Sequence, residues 1–238
     1  MGKRRVSFYI DGFNFYYGFK RTCEVDRRWL QFYWLDIVKL CAAFLPPDQV
    51  LERVVYFTAS PLDPQAASRQ GAFLNANKFA NPNTFEIVRG KYLKKVITCP
   101  ACKYAITRPE EKKTDVNISI RMLEDCMKKL TDKVVLVSAD SDLIPPLSAI
   151  RRNFPEIGIS VYFPPANNSG DIRNLMSSLG KKVVFMSNNY SRFKNAIMPD
   201  TITVQGSTAH IPAEWKAKQK SGANAEKSLQ QGQAPVTQ

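Results

Sequence analysis

Histidine, cysteine and acid are all scarce in this chain. Only one of its 238 residues is histidine, His210, so acid–base hydrolysis by a pair of imidazoles is excluded. Five cysteines, an odd number with one close pair at Cys99 and Cys102, do not make a disulfide framework and fit a reducing, cytoplasmic compartment. No apolar run approaches the roughly 18 residues of a membrane span. The basic start meets Asp11 too soon for a signal-peptide core, so no membrane is expected as a partner. After Met1-Gly2 a myristoylation motif wants Ser or Thr at position 6, and Val6 stands there. Asp and Glu number 21 against 34 Lys and Arg, a net charge of +13. An excess of that size favours a polyanion, with nucleic acid foremost, over a basic protein with no such partner.

Forty-four per cent of the residues are hydrophobic and 11% aromatic, enough for a core that needs neither disulfides nor structural metal. Strand-like and helix-like segments alternate: strand 5–10, helix 29–45, strand 50–58, helix 64–79, strand 85–88. A basic excursion at 89–113 reads as a hairpin insertion. Then come helix 115–130 with Val116, Ile120, Leu123, Met127 and Leu130 as its buried stripe, strand 134–137, helix 144–154, strand 157–163, helix 171–179 and strand 182–186. The alternation predicts an α/β fold with a mostly parallel central sheet. Residues 1–215 read as one domain. Residues 216–238 lack aromatics, are rich in Ala, Gln, Ser, Gly and Lys, and read as a disordered polar tail.

Open parallel sheets bind ligands beyond the C-terminal ends of their strands. Asp11 ends the first predicted strand, and Asp140 and Asp142 follow the 134–137 strand. Asp115 opens the helix just before that strand. Each has a structural alternative: Asp11-Gly12 as a turn, Asp115 as a charge at a helix start after a Thr114 cap, and Asp140 and Asp142 as caps. Two carboxylates 4 Å apart repel by about 4 kcal/mol at an effective dielectric of 20, so a cluster of them calls for a cation or raised pKa values. Oxygen ligands suit Mg2+ or Mn2+ better than zinc.

The stretch Tyr9-Ile10-Asp11-Gly12-Phe13-Asn14-Phe15-Tyr16-Tyr17-Gly18 resembles the opening motif of the NYN domains, relatives of the PIN-domain ribonucleases. Glu111 to Ile118, Leu136 to Pro146, Arg151 to Pro155, Phe163-Pro164-Pro165 and Pro212 to Trp215 resemble later family motifs, in the same order. The resemblance implies a Rossmann-like, three-layer PIN-type fold and metal-dependent hydrolysis of RNA to 5′-phosphate and 3′-hydroxyl ends. It places Asp11, Asp115 and Asp140 at the metal-binding positions, with Asp142 as the second acid of the Ser138–Asp142 motif and Asn14 one turn after the first Asp. Many relatives carry a further Asp where this chain has Arg121. About 120° round the helix from Asp115, Arg121 reads as a solvated residue or a phosphate contact rather than a metal neighbour.

The 89–113 segment carries eight Lys or Arg against Glu110 and Glu111. Lys94, Lys95, Lys103, Lys112 and Lys113 are its candidate contacts to single-stranded RNA, with Arg151 and Arg152 as further candidates. Cys99-Pro100-Ala101-Cys102 has the spacing of half a zinc site. It reads first as a turn with two free thiols, and zinc stays open through convergence of other ligands or across a homodimer. Phe13, Phe15, Tyr16, Tyr17 and Phe19 crowd one segment; most are expected to be core, with at most one or two able to stack on unpaired bases. The leading reading is a ribonuclease, an endonuclease. The alternative is a catalytically idle RNA-binding or adaptor protein of the same fold. A phosphatase of the haloacid dehalogenase type is disfavoured, because its Asp-x-Asp belongs after the first strand, where Asp11-Gly12-Phe13 stands.

Overall fold

The computed structural model describes residues 2–98, 100–204 and 206–231, with the hairpin strands described by backbone alone over 92–98 and 106–112. In chain order the strands of the main sheet are β1 (Arg4–Asp11), β2 (Gln49–Thr58), β3 (Phe85–Arg89), β6 (Lys133–Val137), β7 (Gly158–Phe163) and the two-residue β8 (Val184–Phe185). Between β3 and β6, β4 (Lys91–Thr98) and β5 (Ala105–Lys112) pair as an antiparallel hairpin. A second hairpin joins β9 (Thr201–Val204) to β10 (Ser207–His210).

β1 buries both faces, Val6, Phe8 and Ile10 on one and Tyr9 on the other. A strand apolar on both sides belongs inside a covered parallel sheet. β1 duly pairs in parallel with β2 and with β6. The order is β3-β2-β1-β6-β7-β8, and every pairing in it is parallel. The chain winds outward from β1 to β3, then returns to the other side of β1 and winds outward again. The switch point of this doubly wound sheet therefore lies between β1 and β6.

Helices α1 (Gly12–Val25), α2 (Ile37–Ala42) and α3 (Pro64–Ala80) cover one face. The other face is covered by α4 (Thr114–Met127), α5 (Ile144–Asn153) and α6 (Gly170–Ser178). This is the three-layer α/β arrangement of the PIN type. The short α7 (Tyr190–Asn195) and the terminal α8 (Ala213–Gln230) lie on the α1 side, where Phe193 and Trp215 join the core. No helix among the described residues is long and apolar enough to cross a membrane.

Three expectations need correction. The helix predicted over 29–45 is broken into a 3-10 stretch, Arg27–Tyr33, and α2. Between them Trp34 is fully buried and its Nε1 donates to the Pro199 carbonyl at 2.7 Å. Leu35 bridges to Ile197, and Asp36 caps α2 by accepting from Lys39 N–H at 2.9 Å. The run Trp29 to Leu35 is apolar nearly all round, so its burial does not depend on helical phase, and tertiary contacts override the local preference.

On α4 the phase of the buried stripe is wrong. Ile118, Met122 and Cys126 face the sheet, Val116, Ile120 and Met127 are exposed, and Leu123 and Leu130 are half-buried. The buried row is the one that brings Asp125 to Tyr9, whose hydroxyl donates to the Asp125 carboxylate at 2.8 Å. Arg121 explains itself in the same network. Its Nε donates to Asp125 Oδ1 at 3.0 Å and its Nη2 to Glu86 Oε2 at 2.7 Å, holding the Glu86 carboxyl below its ordinary range. Arg121 is thus neither a solvated residue nor a free phosphate contact. It neutralises Asp125, whose side chain is 3% exposed, and ties α4 to β3.

The third correction concerns the segment read as a disordered tail. Residues 216–230 continue α8, which lies across the 3-10 stretch. Gly222 makes the approach close: a Cβ there would stand 2.5 Å from the Gln31 backbone nitrogen and 3.0 Å from the Arg28 carbonyl. Further along, Glu226 pairs with Lys194 at 2.9 Å and accepts from Gln31 Nε2 at 3.2 Å. Low hydrophobicity concealed a helix that docks by backbone proximity and ion pairs.

Candidate metal centre

Asp11 is the last residue of β1, Asp140 stands just past the end of β6, and Asp115 sits in the first turn of α4. Because β1 and β6 are neighbours, with Ile10 opposite Val137, the two strand ends open side by side at the switch point. The turn from β5 into α4 passes through Lys113 at φ +80°. A left-handed conformation is costly for a residue with a Cβ, and here it turns the chain sharply so that Asp115 reaches the same sheet edge. One carboxylate oxygen from each of Asp11, Asp115 and Asp140 lies within 4.8 Å of the other two.

Their surroundings are ordered rather than fluid. Asp11 is 4% exposed. Its Oδ1 accepts from the N–H groups of Phe13 and Asn14 at 3.1 and 3.0 Å, capping α1. Its Oδ2 accepts from Ser138 Oγ at 2.9 Å. The same Ser138 oxygen accepts from Asp140 N–H at 3.0 Å, and Asp140 Oδ1 accepts from Asp142 N–H at 3.0 Å. Asp11, read alternatively as part of a turn, is instead the cap of α1, and the capping reading of Asp140 holds together with the clustering one: in both residues one oxygen serves the backbone while the cluster is built from the same carboxylates. Thr114 is not the cap of α4, since Lys113 occupies that position without a side-chain cap bond.

Gly12 allows this packing at the start of α1. A Cβ there would meet the Phe57 carbonyl at 2.5 Å and the Tyr56 ring at 2.6 Å, so only glycine lets α1 leave β1 so close to β2.

Asn14 lies beside the carboxylates but acts as a brace. Its Oδ1 accepts from Ala139 N–H at 3.1 Å, and its backbone carbonyl accepts from Asn167 Nδ2 at 2.7 Å. Asn167 in turn receives a hydrogen bond from Arg21. The start of α1 is thereby tied to the loops after β6 and β7. Asp142 is exposed and outside the three-carboxylate cluster. Nothing in the sequence marks a role for Ser138 within the Ser138–Asp142 motif, or for Asn167, which stands 153 residues from its partner Asn14.

Other candidates are scattered. Lys103, at φ +59° in the hairpin turn, and Lys113 are exposed, while the side chains of Lys94, Lys95 and Lys112 lie outside the described residues. Arg151 and Arg152 lie away from the carboxylate cluster. They end α5, which leads to the start of β7 beside the start of β6, so they stand at the sheet edge opposite the carboxylates. Cys99 lies outside the described residues and Cys102 is exposed. Cys23, Cys41 and Cys126 are buried in separate elements. Burial pushes the thiols of Cys23 and Cys126 up to about 12, away from the thiolate that zinc requires.

An all-oxygen donor set at a strand-end switch point fits a hard divalent cation. Mg2+ takes one or two carboxylates and keeps waters for a substrate. The three aspartates would hold such an ion.

The chain is 27% identical over 210 residues to 6-hydroxy-3-succinoylpyridine 3-monooxygenase HspA of Pseudomonas putida, an alignment covering 74% of this chain and 64% of that one. It therefore spans less than two thirds of that relative's length. Among solved structures it is similar to a protein of unknown function from Vibrio parahaemolyticus, at 20% identity and a TM-score of 0.43, over 72% of this chain and 88% of that one. The model of the NYN domain family matches residues 5–179, a span that includes Asp11, Asp115 and Asp140, and the chain belongs to the NYN domain family.

Proposed function

We propose that the chain is a divalent-metal-dependent ribonuclease, an endonuclease acting on single-stranded RNA. The observation that carries this reading is the Asp11–Asp115–Asp140 cluster, set at the switch point of a chain with net charge +13. A bound Mg2+ or Mn2+ supplies Lewis acidity toward the phosphoryl oxygen and lowers the pKa of the attacking water. The protein's own part is placement. Ser138 holds Asp11 and Asp140 at a fixed separation, and Asn14 keeps the loop after β6 against α1. Asp142, exposed beside Asp140, is the carboxylate available to take a proton from the incoming water.

The β4–β5 hairpin enters α4 directly, and Asp115 is two residues past Lys113. Lys94, Lys95, Lys103, Lys112 and Lys113 are proposed to grip the phosphates that flank the scissile one. Labelled single-stranded RNA with Mn2+, Mg2+ or EDTA tests both halves of the proposal. Cleavage is expected with either metal and none with EDTA. Changing Lys94, Lys95 and Lys103 to Ala is expected to lower the slope of log affinity against log salt by roughly 0.7 for each lost contact. RNA bound but left whole in Mn2+ would make the chain an idle RNA-binding or adaptor protein, and an unchanged salt slope would remove the hairpin from the interface.

One observation favours a second reading. An aromatic-walled cavity of about 230 Å3 opens beside Gly12, and the Pseudomonas putida relative is named for action on a substituted pyridine. Oxygen uptake on adding such a pyridine with a reductant, together with RNA left intact in Mn2+, would favour that reading over a nuclease.

A further inference from the structure

The cavity beside Gly12 shares a wall with the carboxylate site. Asp11 is paired with Phe57 across β1 and β2, and the next residue of β2, Thr58, lines the cavity. Neighbouring strands lie only about 4.8 Å apart. Tyr56, also in the cavity wall, has its hydroxyl pKa pushed up by burial and by the Asp11 charge. The cavity thus begins where the metal site ends, on the α1–α3 side of the sheet.

Its walls are rings. The half-buried Phe73, the buried Trp215, Phe13 and the exposed Tyr16 and Tyr17 all line it. Phe13 and Tyr17, one helical turn apart, stack at 6.5 Å with 14° between their planes. Tyr16 and Tyr17 are 39% and 48% exposed, an unusual cost for rings that serve only as core. The polar lining is sparse and directed. Gln70 Nε2 is committed to Thr58 Oγ1 at 3.0 Å and to the Ala59 carbonyl at 3.2 Å, which leaves its Oε1 as the acceptor for a ligand. Arg69 and Lys20 also line the cavity, and Arg69 is paired with Glu214 at 3.0 Å. Pockets for drug-sized ligands run from roughly 300 to 1,000 Å3. At about 230 Å3 this one suits a single planar ring system, with its attached anion outside near Lys20 and Arg69.

We infer that the cavity receives one unstacked base of the RNA whose phosphate is held at the carboxylates. The inference rests on the ribonuclease reading, and it adds a base subsite that anchors the strand beside the scissile bond. Three features select a nucleotide base as the occupant: a wall shared with the carboxylates, an aromatic slot with Lys20 and the Glu214-paired Arg69 beside it, and the basic charge of the whole chain. Aromatic stacking on bases tolerates any base, so this subsite positions the strand more than it reads sequence.

The test separates the cavity from the chemistry. With EDTA present, adenosine 5′-monophosphate is titrated into the full-length protein and binding is read by calorimetry and by tryptophan fluorescence, since Trp215 lines the cavity. Ribose 5-phosphate and a free pyridine carboxylate serve as controls. The nucleotide is expected to bind and ribose 5-phosphate to bind at least tenfold more weakly. Tyr17→Ala, a change at an exposed ring, is expected to weaken nucleotide binding about tenfold. The same variant should raise KM for RNA by a similar factor with kcat little changed, which a merely structural role would not do. Equal affinity for nucleotide and ribose 5-phosphate, preference for the pyridine carboxylate, or unchanged affinity in a folded Tyr17→Ala protein would each overturn the inference. Failure of the ribonuclease reading shows separately, as RNA left uncut in Mn2+ by a protein that still binds the nucleotide in EDTA.

Discussion

Asp11→Asn and Asp140→Asn are each expected to lower Mn2+-dependent RNA cleavage by at least about a hundredfold while the protein stays folded. Losing a residue that only orients a metal ligand typically costs about 10–100-fold, and these two residues supply ligand oxygens themselves. Asparagine keeps the shape and can still cap a helix, so α1 and the turn after Asp140 are preserved. Opposite signs in stability make the prediction specific. Without metal, Asp140→Asn removes one of three clustered negative charges and should melt at or above the parent temperature, because the repulsion is relieved. With saturating Mn2+ the order should reverse, since only the parent gains stabilisation by binding the ion in its folded state. Parent-like turnover by either folded variant would remove that aspartate from the catalytic set. An unchanged difference in melting temperature with and without Mn2+ would remove it from the metal site.

Truncation after Trp215 is expected to lower the melting temperature by at least about 5 °C, at about 2–4 °C per kcal/mol for a chain of this size. The cut removes the Gly222 contact with the 3-10 stretch, the Glu226–Lys194 pair and Lys218, whose Nζ lies 4.6 Å from the centre of the Tyr33 ring. It also leaves Trp215 as the frayed end of a severed helix, although that ring packs against Tyr33 and Phe73 at 5.6 and 6.2 Å. If the chain ending at Trp215 melts like its parent, the helix from 216 to 230 contributes no stability.

The contrast between α8 and β1 shows what a sequence can reveal. β1 was legible because Val6, Phe8, Tyr9 and Ile10 state their burial directly, and the motif around Asp11 states its position at a strand end. The carboxylate cluster was legible for the same reason: each member sits at an element boundary that periodicity marks. Arg121 was misread because its role depends on Glu86 and Asp125, partners that only the paired sheet and the phase of α4 bring within reach. Ser138 and Asn167 act through hydrogen bonds to Asp11 and Asn14 across more than 120 residues of chain, and such bonds leave no local pattern. α8 was hidden because its docking relies on a missing side chain at Gly222 and on ion pairs, neither of which raises hydrophobicity.

The winding order of the sheet divides the metal centre between two halves of the chain. Asp11 belongs to the half that runs through β1, β2 and β3, whereas Asp115 and Asp140 belong to the half that holds β6, β7 and β8. Among the described residues the only strand pairing of the main sheet between the halves is that of β1 with β6, and the β4–β5 hairpin is the covalent link. Neither half alone carries a complete ligand set. High-affinity metal uptake would therefore require the two halves to be docked, and after a nick within the hairpin it would report whether they stay together.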